Sequence, residues 1–125
     1  MRYSVSIDVP SLEQGLEFYG KAFGFKEVAS PVETYSVAKS GNAQIGLMQK
    51  AAGSNPAPGS DDVRRYDRHG TPVHIDFQVE IFEEVLAAAL DAGAICEQKF
   101  QSEEHPSLAF CSDPFGNGFC IIGPQ

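Results

Sequence analysis

Apolar and polar residues alternate along two short stretches of the chain that lie seventy positions apart. Residues 4–9 read SVSIDV and residues 74–79 read HIDFQV, so every second residue is apolar in each stretch. Alternation with a period of two predicts a β-strand with one apolar face and one polar face. The polar faces carry Ser4, Ser6 and Asp8 in the first strand and His74, Asp76 and Gln78 in the second.

A helical pattern follows each of these strands. Ser11 and Gln14 stand at the spacing of a capping box, which predicts that a helix begins there. Apolar residues then recur at helical spacing, and Gly24 is predicted to end the helix. The second helix is predicted over residues 80–93, because acidic residues lie in its first turn and a glycine stands at its end.

Three strand-like runs follow each helix. In the first half they cover residues 25–30, 33–39 and 43–49, with breaks predicted at Ser30-Pro31 and at residues 40–42. In the second half they cover residues 94–100, 107–112 and 118–123. The last two runs are joined by DPFGN, in which Pro114 and Gly116 suit a type I turn, so a hairpin is predicted.

The order of elements is therefore repeated. Each half is predicted to be a βαβββ module, with module 1 over residues 1–50, a linker rich in Gly, Pro, Ser and charge over 51–70, and module 2 over 71–125. Neither half can bury its sheet alone. The expected fold is α+β, with two tandem βαβββ modules forming one curved mixed sheet around a cleft and the helices outside. Both polar rows then face the cleft.

Composition narrows the classes of partner. The chain has 125 residues, enough for one domain, and a formal net charge of −8. An acidic protein is a poor partner for nucleic acid or for an anionic membrane surface, so we expect neither. The chain has no apolar run long enough to span a bilayer and no pattern of a signal peptide, so we expect a cytoplasmic location.

The three cysteines, Cys96, Cys111 and Cys120, are expected to be reduced thiols. None of them belongs to a CxxC motif. Cys111 and Cys120 flank the predicted hairpin turn, so a disulfide between them is conceivable.

Two motifs carry a resemblance to a known family. The repeat, together with SLEQGLEFYGKAFGF at residues 11–25 and DPFGNGF at residues 113–119, resembles the vicinal oxygen chelate superfamily. This superfamily includes glyoxalases, extradiol dioxygenases, fosfomycin-modifying enzymes and bleomycin-binding resistance proteins. The resemblance covers nearly the whole chain and implies the fold, but it leaves the function open.

The resemblance also implies where a metal would bind. Metal-binding members use up to four positions, which fall here on Ser4, on Gly46 or Met48, on His74 and on Cys120. Only His74 is a good ligand, although Cys120 as a thiolate could hold zinc together with it. We therefore expect no cofactor, and a divalent metal remains the alternative.

Two classes of function follow from this resemblance. The first is a metal-free small-molecule-binding protein of the bleomycin-resistance type, which sequesters a cationic or neutral organic ligand such as an antibiotic and acts as a homodimer. The second is a metal-dependent lyase, isomerase or dioxygenase of the glyoxalase type with atypical ligands. A structural or regulatory copy of the fold is a third possibility. The candidate ligand-binding residues are Ser4, Ser6, Asp8, Met48, His74, Asp76, Gln78 and Cys120.

Several of these residues have an alternative, purely structural interpretation. Asp8 and Asp76 could instead pair with arginines of the linker, which contains RRYDRH at residues 64–69. His74 could be a hydrogen-bonded cleft histidine, and Cys120 a small buried apolar residue. Residues with aromatic or apolar side chains could line a pocket or belong to the core: Tyr35, Met48, Phe110 and Phe115.

Overall fold

The computed structural model describes all 125 residues, and the predicted order of elements is repeated in it. The elements are β1 (Ser6–Val9), α1 (Leu12–Phe23), β2 (Lys26–Val32), β3 (Tyr35–Ser40), β4 (Ala43–Gln49), β5 (Ile75–Gln78), α2 (Phe82–Asp91), β6 (Ile95–Phe100), β7 (Leu108–Ser112) and β8 (Gly118–Ile122). The chain divides into two compact units, residues 1–20 with 24–66 and residues 21–23 with 67–125. We call them the first unit and the second unit.

The first unit contains an open four-stranded sheet in the order β1-β4-β3-β2. β1 runs parallel to β4, and the other neighbours are antiparallel. Ser11 caps α1, since its hydroxyl accepts a hydrogen bond from the Gln14 amide at 3.3 Å, and Gly24 ends the helix with a φ of 76°. Both predictions for this helix are confirmed. The apolar faces of strand and helix form a core that includes Val9, Phe18, Tyr19, Ala38, Ile45 and Leu47.

One predicted break is wrong. β2 continues through Ser30 and Pro31 to Val32, and the chain turns only before β3. Proline has no backbone N–H to donate. Because β2 is an edge strand, no strand on its outer side needs that hydrogen bond. The pairing of β2 with β3 also shifts register on both sides of Ala29. An irregular edge of this kind accommodates proline.

The second unit contains the matching open sheet in the order β5-β8-β7-β6. β5 runs parallel to β8, with Asp76 opposite Cys120. On the apolar face of β5, the Phe77 ring stacks on Phe23, the last residue of α1, at 4.0 Å and meets Phe119 edge-on at 5.9 Å between centroids. Neither α1 nor α2 has the length and apolar character that a membrane-spanning helix requires.

The predicted hairpin turn between β7 and β8 is confirmed. The Gly116 amide donates to the Asp113 carbonyl at 3.2 Å, which closes a four-residue turn with Pro114 in its second position. The Asp113 carboxylate accepts further hydrogen bonds from the amides of Phe115 and Asn117, each at 2.9 Å. The backbone of Asp67 lies so close to Gly116 that no side chain fits there.

The segment between β4 and β5 has neither helix nor strand, yet its first part is held by hydrogen bonds. The Gly53 amide donates to the Arg64 carbonyl and the Arg64 amide to the Ser54 carbonyl, both at 2.8 Å. The Tyr66 hydroxyl donates to the Lys50 carbonyl at 2.6 Å. Burial raises the pKa of Tyr66 above its ordinary value, and so does the nearby Asp8 carboxylate.

Candidate functional site

The polar face of the first unit is defined by strand register. Residues directly opposite one another share a face of the sheet, so Ser6 lies beside Gly46, while Asp8 lies beside Met48. Tyr35 also stands opposite Met48 and joins this face. Ser4, the remaining residue predicted for this face, is exposed and lies before the first residue of β1.

Asp8 is engaged by the long loop. The Arg64 guanidinium donates to its carboxylate at 2.8 Å, and the Arg64 side chain is 17% exposed. A second nitrogen of the same guanidinium donates to the Ser54 hydroxyl and to the Asn55 carbonyl. Asp8 therefore pairs with a linker arginine, as the structural interpretation of this residue proposed, and its carboxylate is not left open for a ligand.

Tyr35 occupies the place where a ligand side chain would stand in the first unit. Ser6 and Asp76 are equivalent in the repeat, and they stand opposite Gly46 and Cys120 respectively, so Gly46 rather than Met48 corresponds to Cys120. A Cβ atom on Gly46 would lie 2.8 Å from two carbons of the Tyr35 ring, whose hydroxyl is 3.4 Å from the Ser6 hydroxyl. A metal ligand at residue 46 would therefore require the ring to move.

In the second unit the equivalent positions carry three donor groups in one cluster. Nε2 of His74 lies 3.2 Å from Oδ1 of Asp76. One donor atom from each of His74, Asp76 and Cys120 lies within 4.8 Å of the other two. The side chains of Asp76 and Cys120 are neighbours because these residues stand opposite one another in the ladder between β5 and β8. His74 directly precedes β5, two residues before Asp76, and so projects from the same side.

Cys120 is a protonated thiol in this environment. Its side chain is buried, and burial raises its pKa to about 11, with further contributions from the charge of Asp76 and from a hydrogen bond to that carboxylate. A thiol with such a pKa is neutral at physiological pH. It is therefore neither an activated nucleophile nor a preformed thiolate ligand.

A cavity of about 110 Å³ lies beside this cluster within the second unit. The imidazole of His74 and the thiol of Cys120 belong to its wall, and the remaining wall combines aromatic, small and charged residues. These are Arg68, Gly70, Thr71, Glu97, Phe110, Cys111, Gly118 and Phe119. Of the other predicted residues, Gln78 is exposed at the end of β5, and Phe115 is buried in the core.

Arg68 and Glu97 form an ion pair at this wall. Nε and Nη2 of Arg68 donate to the two carboxylate oxygens of Glu97 at 2.7 and 3.0 Å. The hydrogen bond from Arg68 lowers the pKa of Glu97, and the same bond raises the pKa of Arg68. The guanidinium fits there because Gly118 has no side chain; a Cβ at that position would lie 3.1 Å from two guanidinium nitrogens.

Sequence reasoning did not identify Arg68 and Glu97 as site residues. They lie 29 positions apart, in a loop and in a mostly exposed strand, and neither belongs to a motif. Phe110 was identified as a possible pocket residue, and its contact with the site follows from its place opposite Cys120 in the ladder between β7 and β8. A correct register for β8 would have been enough to find it.

The donor cluster fits some metals better than others. One imidazole nitrogen, one carboxylate oxygen and one sulfur form a set that zinc accepts, and three protein ligands leave a fourth position open. The spacing of up to 4.8 Å must shorten for all three atoms to reach one ion, and the Cys120 proton must leave. Manganese and magnesium prefer sets made of oxygen, so the cluster suits them less well.

Two βαβββ units, each with its own mixed four-stranded sheet, define the α+β class to which vicinal oxygen chelate proteins belong. The family model described as a glyoxalase-like domain matches residues 4–122. The chain therefore belongs to this glyoxalase-like family. The predicted family and the α+β class of two βαβββ modules are confirmed, and the strands form two four-stranded sheets where one sheet was predicted. No curated protein matches the sequence.

Solved structures share this fold at low sequence identity. A glyoxalase/bleomycin resistance protein/dioxygenase family enzyme from Burkholderia phytofirmans has a TM-score of 0.72 and 21% identity, with 98% of this chain and 97% of that chain covered. The fosfomycin resistance protein FosX from Listeria monocytogenes has a TM-score of 0.73 and 14% identity, with 100% and 93% covered. A variant of this FosX, in complex with Mn(II) and 1S,2S-dihydroxypropylphosphonic acid, has a TM-score of 0.72 and 15% identity, with 100% and 91% covered.

Proposed function

We propose that the protein binds a small cationic or neutral organic molecule in the cavity of the second unit and that it does so without a metal. The observation that carries this proposal is the wall of the cavity. It brings an imidazole and a thiol together with the Phe110 ring, and the Asp76 carboxylate lies 3.2 Å from that imidazole. Polar groups placed beside aromatic rings on a concave wall are typical of a binding pocket.

The charges around the cavity favour a ligand that is not an anion. Arg68 lines the wall, but Glu97 holds its guanidinium through two hydrogen bonds. Arg68 and Glu97 neutralise one another. When His74 is neutral, the remaining formal charge beside the cavity is the negative charge of the Asp76 carboxylate. An anionic ligand would have to displace Glu97 from Arg68, whereas the Asp76 carboxylate is 50% exposed beside His74 and can accept from a donor group.

The size of the cavity limits what it can enclose. Its volume of about 110 Å³ is below the roughly 300–1,000 Å³ of ordinary ligand pockets. It therefore encloses a head group or a very small molecule, and a larger ligand would extend beyond it. We expect a cationic or hydrogen-bond-donating head group at Asp76 and a flat or apolar part against Phe110.

The neighbours' names suggest where a search for the ligand should begin. Two of them name bleomycin resistance or fosfomycin resistance. We propose to screen basic antibiotics and small basic or neutral metabolites by thermal shift, next to a matched anionic set that includes fosfomycin. Hits among basic and neutral compounds are expected. Hits confined to the anionic set would contradict the proposal.

Substitution of Asp76 tests the site once a cationic ligand is in hand. Asp76→Ala should weaken binding by roughly 1.5–3 kcal/mol, the usual contribution of one charge-assisted hydrogen bond. Because the Asp76 side chain is 50% exposed, fold stability should change much less. Glu103→Ala is the matched control, since it removes the same charge from an exposed residue outside the cavity wall. Equal losses in both variants, or loss of folding in Asp76→Ala alone, would contradict this site.

A metal-dependent lyase, isomerase or dioxygenase is the second candidate. The observation that favours it is the cluster of three donor atoms within 4.8 Å. His74, Asp76 and Cys120 would hold the ion, which would supply a Lewis acid at its open position. The high pKa of Cys120 opposes this function near neutral pH, because binding must release the thiol proton.

Metal analysis separates the two candidates. Protein purified without chelators should contain well under one transition metal per chain if the first function is correct. A titration with Co²⁺ should then show no thiolate-to-metal absorption at pH 7. Stoichiometric zinc, or a cobalt–thiolate band that disappears in Cys120→Ser, would contradict metal-free binding and favour the second candidate, whose activity would then be assayed with the metal-loaded protein.

A further inference from the structure

Cys96 and Cys111 stand directly opposite one another on β6 and β7. Opposed residues of an antiparallel pair project from the same face, with Cα atoms roughly 4.5–5.5 Å apart. A disulfide spans Cα separations of roughly 4.4–6.8 Å, so the ladder already holds these residues within bonding reach. Both are free thiols in this structure.

The pair suggested by the sequence, Cys111 and Cys120, is arranged differently. Cys111 stands opposite Phe119, whereas Cys120 stands opposite Phe110. Since residues 110 and 111 are neighbours on one strand, their side chains leave opposite faces of the sheet. A bond between Cys111 and Cys120 would have to cross the sheet, which the ladder prevents.

The two opposed thiols differ in access to solvent. Cys96 is half-buried on β6, an edge strand, while Cys111 is 1% exposed. The ladder shifts register directly after Cys96, which gives this end of the strand more freedom to close onto its neighbour. Burial raises the pKa of Cys111 to about 12, with smaller contributions from Cys96, Cys120 and Glu97. Cys96 is therefore the thiol that an oxidant reaches first, and Cys111 is the one that resolves the product.

We propose that Cys96 and Cys111 form a reversible redox pair that a peroxide closes into an intramolecular disulfide. Cys96 attacks one oxygen of hydrogen peroxide, forms a sulfenic acid and releases water. The Cys111 sulfur then bonds to the Cys96 sulfur, and the sulfenic hydroxyl leaves with the Cys111 proton as a second water. Two thiols are oxidised by two electrons and one peroxide is reduced to two waters. The pair does not depend on the proposed ligand, although Cys111 also lines the cavity.

Peptide mapping of the peroxide-treated full chain tests the pair. Trypsin cuts after Lys99, between Cys96 and Cys111, and a protease specific for Asp cuts before Asp113, between Cys111 and Cys120. After unreacted thiols are blocked, most chains should show one link between the Cys96 and Cys111 peptides. The link should disappear with dithiothreitol.

Two kinds of variant complete the experiment. Cys120→Ser should form the same link, whereas Cys96→Ser and Cys96→Ala should form no intramolecular link. A link between Cys111 and Cys120, a link between two chains, or stepwise oxidation of Cys96 to sulfinic acid with no link would each overturn the proposal.

Discussion

At the scale of single residues, the protonation of Cys120 decides between the proposed functions. The thiol is buried beside the Asp76 carboxylate, and its pKa is raised to about 11. A metal centre at this position needs the thiolate, whereas a metal-free pocket can use the neutral thiol as a weak donor. The protonation state of Cys120 therefore distinguishes the two proposed functions.

The rate of alkylation reports the protonation state of the Cys120 thiol. At pH 8 we expect iodoacetamide to modify Cys120 roughly a hundredfold more slowly in the folded chain than in the chain unfolded in urea, because only the thiolate reacts. The folded rate should keep rising towards pH 11, while the unfolded rate levels off near pH 9. Mass spectrometry after cleavage before Asp113 separates Cys120 from Cys111.

A partial control comes from Asp76→Asn, which removes the charge that opposes deprotonation. Its folded rate at pH 8 should lie between that of the folded parent and that of the unfolded chain, because burial remains the larger cause of the shift. Equal rates in the folded parent and the unfolded chain would mean that Cys120 is not held as described.

At the scale of elements, the turn between β7 and β8 and the end of the long loop form one contact. The Asp67 backbone lies against Gly116, and the Arg68 guanidinium lies over Gly118 and is held by Glu97. Gly116 has a φ of 89° and no room for a Cβ atom. The contact is therefore a condition for placing Arg68 in the cavity wall.

Two glycine substitutions separate the strained backbone from this contact. Gly41 also has a positive φ, 58°, but nothing lies within 4 Å of its Cβ position. We expect Gly41→Ala to lower the free energy of unfolding by roughly 1–2 kcal/mol, the cost of a left-handed residue with a side chain. Gly116→Ala should cost about twice as much because Asp67 must also move. Urea denaturation measures both, and equal losses would contradict the close approach of the loop.

The sequence was sufficient to predict the elements but not how their side chains meet. Alternation, caps and turn residues are local signals. The first helix was predicted from Ser11 and Gly24, the second from its acidic first turn and Gly93, and the last hairpin from the DPFGN turn. The continuation of β2 through Pro31 was missed, because whether proline is tolerated depends on whether the strand lies at an edge. The Tyr35 ring beside Gly46 and the opposition of Cys96 to Cys111 depend on register, which the pattern of a single strand does not determine.

At the scale of the whole molecule, we expect two chains to associate. The edge strands expose apolar side chains, Val28 and Val32 on β2 and Ile95 and Phe100 on β6. We therefore predict a homodimer with twice the chain mass of 13.5 kDa.

Light scattering coupled to size-exclusion chromatography measures that mass at micromolar concentration. The measurement is best made at physiological ionic strength, because a formal net charge of −8 makes the chains repel one another in low salt. A mass of one chain under these conditions would refute the prediction.

The Tyr35 ring at Gly46 makes the two halves of the repeat unequal in how easily they can be converted into a donor site. One half holds an aromatic ring at the position where the other holds a thiol. A donor introduced at residue 46 alone collides with the ring, and a smaller residue at position 35 alone leaves a void. Neither single substitution is neutral, so the two depend on each other, and the first half of the repeat can gain a donor only when both are made together.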